Sequence, residues 1–192
     1  LLEARLMQDD GSLKKAITAD TIGWQIAPRI NAAGRMNHAN VAYKLLSTSD
    51  PIEAVDLAFE LDQNNRDRQA LTDEIVTKAI EQVKKQTDEP VLFAYGSGWP
   101  TGIVGLVSGK LKEMYQKPAL VMTNRDGEIT GSGRSITGFN LIEALQQLPE
   151  HFAKFGGHPM ACGFTLSSPE TLTSFKAALI AKYSEKTAGL DM

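Results

Sequence analysis

Cysteine is nearly missing from this chain: Cys162 is the only one in 192 residues. A single thiol excludes an internal disulfide framework and suits a reducing, cytoplasmic setting. Histidine is almost as scarce. His38, His151 and His158 are the full set, and no two of them form a close pair. His158 and Cys162 share one short stretch, but two ligands do not make a zinc site. No cluster of acids and histidines suits a two-metal centre, so no metal site is expected within this chain. Positive charge is not in excess either: 20 Lys and Arg stand against 23 Asp and Glu, a net charge of −3. A domain whose main task is gripping duplex DNA is usually basic. Any nucleic-acid contact here must be local, or be helped by protein outside this chain. No apolar run is long enough to span a membrane, and no signal peptide is visible. The chain opens Leu1-Leu2-Glu3 without an initiator methionine, and the expectation is a piece of a longer protein.

Several familiar catalytic patterns are lacking too. The loop Gly96-Ser97-Gly98-Trp99-Pro100-Thr101-Gly102 nearly matches a dinucleotide fingerprint, but its third glycine comes one residue late. Thr123-Asn124-Arg125 stands where an acidic residue would hold a ribose. No Gly-Lys-Ser/Thr follows the loop, so it is not a P-loop. Gly133-Arg134-Ser135-Ile136-Thr137 lacks the final glycine of a nucleophile elbow.

With 42% hydrophobic residues the chain can bury a real core, as one domain or one domain plus part of another. Residues 1–20 read as the end of an element and a polar loop around Asp9-Asp10. Ile22 to Met36 is apolar and rich in small residues, and Pro28 argues against one uninterrupted helix there. Val41 to Leu46 reads as helical. Asp50-Pro51-Ile52-Glu53 is a helix start, with Asp50 as cap and Glu53 placed for a capping box. Near-helical spacing then runs from Ile52 to Val83, as one long helix or two around the polar middle.

The pattern changes near residues 85–90. Val91–Tyr95 is a short apolar strand, Ile103–Tyr115 a helix with Val104, Val107, Leu111 and Met114 on one face, and Ala119–Met122 a second strand. That order implies a parallel pair. Asp126-Gly127 signals a hairpin into Ile129–Arg134. Asn140 caps a short helix, Cys162–Leu166 is a further strand, and Ser168-Pro169-Glu170 opens a last helix with Leu172, Phe175, Leu179 and Tyr183 inward. The fold class is therefore α/β: a helical connector followed by a small mixed-sheet domain with helices packed on the sheet.

Three clusters of small residues carry the functional signal. Gly131-Ser132-Gly133-Arg134-Ser135 and Phe155-Gly156-Gly157-His158 let a ligand approach the backbone, with a guanidinium and an imidazole at hand. In the third, Thr101 and Gly102 open a helix whose positive end suits an anion. Each cluster alone reads as tight turns; three together point to phosphate. His158 reads equally as a turn residue or as a donor to phosphate or leaving group. Trp99 reads as a base-stacking platform, a surface aromatic or a core residue. Arg66 and Arg68 read as a solvated helix face. Arg35, beside Gly34, serves either an anion or a helix terminus.

Four of these segments, in this order, resemble the RecJ-type single-strand-specific exonucleases of the DHH phosphoesterase superfamily. Ile26-Ala27-Pro28-Arg29-Ile30-Asn31-Ala32-Ala33-Gly34-Arg35 resembles the segment joining the two halves of their catalytic core. Gly98-Trp99-Pro100-Thr101-Gly102-Ile103-Val104-Gly105 resembles the start of their DHH-associated domain. Gly131–Ser135 and Gly156–Gly163 resemble its two later motifs. The resemblance implies a connector and the tail of a catalytic domain over residues 1–88, and a DHH-associated substrate-binding domain over 89–192. It implies a parent that degrades single-stranded DNA from 5′ to 3′ with Mn²⁺ or Mg²⁺, in recombination and mismatch or base-excision repair. The Asp-His-His signature of the catalytic domain is missing here, so this part alone is expected to be inactive, and the oligonucleotide-binding fold that follows in such proteins is also expected to lie outside it. By resemblance, Ser132 and Arg134 hold the phosphate end of the strand, His158 faces the metal site as an assisting group, and Arg35 and Asn31 lie near the cleft. Gly133, Ser135, Gly156, Gly157, Thr101 and Gly102 complete the expected phosphate-binding set. Ala161-Cys162-Gly163 departs from the family's Ala-Ala-Gly, which bears on packing more than on function. Three other readings remain open: a phosphodiesterase of very short oligonucleotides or cyclic dinucleotides, a non-enzymatic nucleic-acid-binding module, and an α/β domain whose glycines only turn the chain.

Overall fold

The computed structural model describes residues 16–36, 39–86 and 88–188. Asp9-Asp10 and His38 lie outside them. The chain forms two compact units that divide between Leu71 and Thr72, earlier than the compositional change at 85–90.

The first unit is helical. A π-helical turn, Thr21–Ile26, runs directly into α1, Ala27–Met36. Pro28 therefore does not stop the helix, contrary to the sequence expectation. The Ala27 N–H bonds back five residues to the Ile22 carbonyl, and this wider turn makes room for a ring that cannot donate. Helix α2 is Asn40–Ser47. Helix α3, Pro51–Val83, is a single helix of 33 residues. Asp50 caps it as expected: its Oδ1 accepts from the Ile52 N–H at 2.9 Å. The capping box is modified, because the Glu53 carboxylate takes the Thr48 hydroxyl while the Asp50 N–H donates to Thr48 Oγ1. Ala33, Ala42 and Leu61 form a small core. Beside it, buried Asp62 pairs with Arg29 at 2.8 Å and Arg66 at 2.7 Å. Arg66 is thus an ion-pair partner within its helix.

The second unit is built on five strands: β1 Leu92–Ser97, β2 Ala119–Arg125, β3 Glu128–Arg134, β4 Phe152–His158 and β5 Ala161–Leu166. Their order is β1-β2-β3-β5-β4. β1 and β2 are parallel, as expected, and all other neighbours are antiparallel. Asp126 and Gly127 both have positive φ, 54° and 87°, which makes the β2–β3 connection a type I′ turn. Helix α4, Thr101–Tyr115, covers β2 and β3 on one face through Ile103, Val104, Val107 and Leu111. Met114 is 57% exposed, off the expected face. Helices α5, Leu141–Gln146, and α6, Thr171–Thr187, cover the other face. There Phe93, Met122, Leu141, Phe152, Phe164 and Phe175 form the main core. Phe175 meets the Phe152 and Phe164 rings at 5.1 and 5.4 Å, so truncating it to alanine costs about 3–5 kcal/mol.

The end of α3 belongs to this unit because it covers an open edge. The Gln82 and Gln86 side chains face β1 like the rungs of a further strand. Gln82 exchanges two hydrogen bonds with the Tyr95 backbone, at 2.8 and 2.9 Å. Gln86 does the same with Phe93, at 2.7 and 3.0 Å. The match is geometric: residues four apart on a helix are about 6 Å apart, and alternate strand residues about 6.6 Å. No described helix is long and apolar enough to cross a membrane.

Candidate nucleic-acid interface

Cross-strand pairing fixes which side chains share a face. Three rows cross β3, β5 and β4: Arg134, Ala161 and His158; Ser132, Gly163 and Gly156; Thr130, Thr165 and Lys154. All nine residues project on the face opposite the main core. Helix α4 lies over the β2–β3 side of this face, while Gly156, His158, Gly163 and Lys154 are exposed. A shallow depression of about 300 Å³ lies here, lined by Lys154, Phe155, Gly156, Gly163, Phe164 and Thr165. The sequence reading placed Gly156, Gly157 and His158 in a turn. They instead end a strand, β4, that glycine's poor strand preference concealed.

The glycines divide into two groups. Gly131 and Gly133 point into the packed face: a Cβ on Gly131 would meet Phe164 at 2.5 Å, and one on Gly133 would meet Leu141 at 2.6 Å and the Cys162 sulfur at 2.8 Å. Gly133 therefore admits the core side chains rather than a ligand, against the sequence expectation. Gly157, at φ 151°, turns tightly against the Ala161 carbonyl, 2.3 Å from where a Cβ would stand. Gly156 and Gly163 differ. A Cβ on Gly156 meets nothing within 4 Å, and one on Gly163 meets only the Gly131 oxygen at 3.9 Å. Packing leaves room for side chains there, and glycine weakens a strand. Their bareness keeps a floor open for close approach.

Arg134 is held at the edge of that floor. Its Nη1 donates to Ser132 Oγ and to the Gly133 carbonyl, both at 2.9 Å. Ser132 Oγ in turn donates to the Cys162 carbonyl at 3.1 Å. No carboxylate pairs with this guanidinium among the described residues, so one edge is fixed and its other donors are available. His158 stands two strands away, about 10 Å between backbones at the usual strand spacing. An anion on the glycine floor is within reach of both.

Gly105 was missed as a site residue from its own chemistry. It sits inside α4, where a Cβ would stand 3.2 Å from Ser132 Oγ and 3.3 Å from Arg134 Nη2. The available signal was a glycine in mid-helix, which costs about 1 kcal/mol and usually has a packing reason. Thr101 and Gly102 form the first turn of α4, on the same face and one turn before Gly105.

Other expected members are placed elsewhere. Ser135 is 1% exposed; its hydroxyl donates to the Phe139 carbonyl at 2.6 Å, so it closes a turn and offers nothing to a ligand. Trp99 folds over Gly96, where a Cβ would overlap its ring at 2.0 Å. Arg35 belongs to α1 in the first unit and is exposed. Burial and the charge of Arg35 lower the Arg68 pKa. Burial pushes the Cys162 thiol from 9.0 to about 12, against the opposing hydrogen bond at Gly133 and charge of Arg134; this thiol stays protonated. Among the described residues no three His, Cys, Asp or Glu side chains converge. The open face presents Arg134, His158 and Lys154, a donor set that suits anions rather than a divalent cation.

Comparison with known proteins shows the family and the fold. The DHHA1 domain family matches residues 70–185. The single-stranded-DNA-specific exonuclease RecJ of Bacillus subtilis is 42% identical over 154 residues, which are 79% of this chain and 20% of that protein. RecJ of Dickeya dadantii is 36% identical over 160 residues, covering 78% of this chain and 28% of its own. The chain thus spans about a quarter of the length of these curated relatives. A crystal structure of RecJ from Thermus thermophilus in complex with Mg²⁺ superposes on 96% of this chain with a TM-score of 0.81, at 28% identity and over 28% of its own length. An exonuclease RecJ bound to manganese covers 88% of this chain with a TM-score of 0.76, at 30% identity and over 42% of its own length. With a domain match over more than half its length, the chain belongs to the DHHA1 domain family, and its relatives in sequence and structure are RecJ exonucleases.

Proposed function

We propose that this chain is the substrate-binding part of a RecJ-like, metal-dependent exonuclease of single-stranded DNA, and that the β3-β5-β4 face holds the phosphate at the strand's 5′ end. The observation that carries the proposal is the pair of bare glycines, Gly156 and Gly163, in the row next to the one in which Ala161 separates His158 from an Arg134 that has no carboxylate partner among the described residues. Glycine there weakens the sheet and fills no packing need. Ser132 fixes the near edge of Arg134, leaving the outer guanidinium donors for phosphate oxygens. His158 reaches the same group from the opposite strand. Thr101 and Gly102 bring the positive end of α4 to this face.

The metal of such an enzyme supplies the charge and the activated water for hydrolysis. The cationic face described here does not fit that ion. The catalytic carboxylates belong to a domain outside this sequence, so this part alone binds without cleaving. The test is titration of 5′-phosphorylated oligothymidylates into the wild type and Arg134→Ala, read by fluorescence anisotropy. Loss of a charge-assisted contact of about 1.5–3 kcal/mol raises Kd roughly 10- to 100-fold. Equal affinity of the two folded proteins would sink the proposal.

A further inference from the structure

The outer row of the open face, Thr130, Thr165 and Lys154, is not used by the terminal-phosphate contact proposed above. It lies four residues along the strands from the Arg134 row, about 13 Å away at the usual rise. Between the two rows the floor is Gly163 and Gly156, so nothing blocks a chain laid from one to the other. Two observations set this row apart. The depression of about 300 Å³ reaches to Lys154 and Thr165 at this end. Lys154 is exposed and has no carboxylate partner among the described residues.

Resting on the proposed function, we infer that Lys154, exposed at the far end of the glycine floor, is a second phosphate subsite for the same strand, holding an interior phosphate while Arg134 and His158 hold the terminal one. At the stacked spacing of about 3.4 Å the 13 Å between rows spans about four nucleotide steps, and fewer when the bases are splayed. Lys154 therefore makes binding depend on length: a mononucleotide cannot reach it and a pentanucleotide can. Its single charge contributes to affinity and to salt dependence, and it reads no base.

The experiment measures Kd at several salt concentrations for 5′-phosphorylated dT1 and dT5 with the wild type, Lys154→Ala, Lys154→Arg and Arg134→Ala, each checked for an unchanged far-UV spectrum. Lys154→Ala is expected to leave dT1 binding unchanged and to weaken dT5 about two- to fivefold, as an exposed ion pair does. Its log Kd against log salt for dT5 is expected to flatten by about 0.7, one phosphate contact on a single strand. Lys154→Arg restores both, and Arg134→Ala weakens both lengths. If Lys154→Ala binds dT5 with wild-type affinity and slope while Arg134→Ala is impaired, the second subsite is overturned and the terminal one stands; Lys154 then serves only to keep the exposed β4 edge from pairing with another sheet. If Arg134→Ala is unimpaired, or the wild type binds neither probe, the functional reading itself falls, and this inference with it.

Discussion

Replacing Gly105 by alanine separates stability from binding, because the same methyl group acts oppositely on the two. Gly105 lies within α4 and has no positive φ, so alanine there gains about 1 kcal/mol of helix propensity. Its Cβ would stand 3.2 Å from Ser132 Oγ and 3.3 Å from Arg134 Nη2, a few tenths of an ångström too near. Ser132 cannot easily yield, since its hydroxyl is tied to the Cys162 carbonyl and to Arg134 Nη1. The guanidinium is the flexible end and moves. A displaced guanidinium costs part of the helix gain, leaving stability within about 1 kcal/mol of wild type. Binding suffers more, because outer donors aimed at a phosphate lose their alignment. A fraction of the contact energy of about 1.5–3 kcal/mol gives a rise in Kd of roughly three- to tenfold. Urea denaturation followed by circular dichroism reads the first quantity, and anisotropy with 5′-phosphorylated dT5 reads the second. A variant clearly destabilised yet binding like wild type would refute the reasoning, since it would mean that the glycine serves packing and not the arginine.

Two further outcomes concern the frame around the site. Gln86→Glu replaces the amide donor to the Phe93 carbonyl by a carboxylate oxygen, turning a bond into a repulsion beside a buried strand. A loss of about 1–3 kcal/mol is expected, with faster hydrogen exchange at Phe93; unchanged stability and exchange would show that the glutamine rungs do not hold the β1 edge. Cys162 links stability to alkaline pH. Its folded pKa is raised from 9.0 to about 12 by burial, so its contribution is fully present below pH 9 and is lost as pH rises through 12. The unfolded chain releases the proton first, and stability falls by up to about 1.4 kcal/mol per pH unit in that window. The difference between wild type and Cys162→Ala in unfolding free energy should shrink from pH 9 toward pH 11, and a difference independent of pH would contradict the buried, protonated thiol.

Sequence alone determined the features whose physics is local. The Asp50-Pro51 start of α3, the Asp126-Gly127 hairpin, the Asn140 cap and the parallel pair around α4 are each written in adjacent residues or in a period of two or 3.6. So was the choice of α/β class, and so were the segments that resemble RecJ. Tertiary structure decided the rest, because it depends on register between strands distant in sequence. Gly131 and Gly133 look identical to Gly156 and Gly163 in a string of letters. Only pairing shows that the first two face Phe164 and Leu141 while the others face open space. Ser135 reads as part of the Gly-Ser-Gly-Arg motif until its hydroxyl is found closing a turn on Phe139. Pro28 is a helix breaker by its own chemistry, and the preceding π-turn overrides it. Placing Arg134 and His158 on one face required strand β5 between them, and no local pattern carries that information.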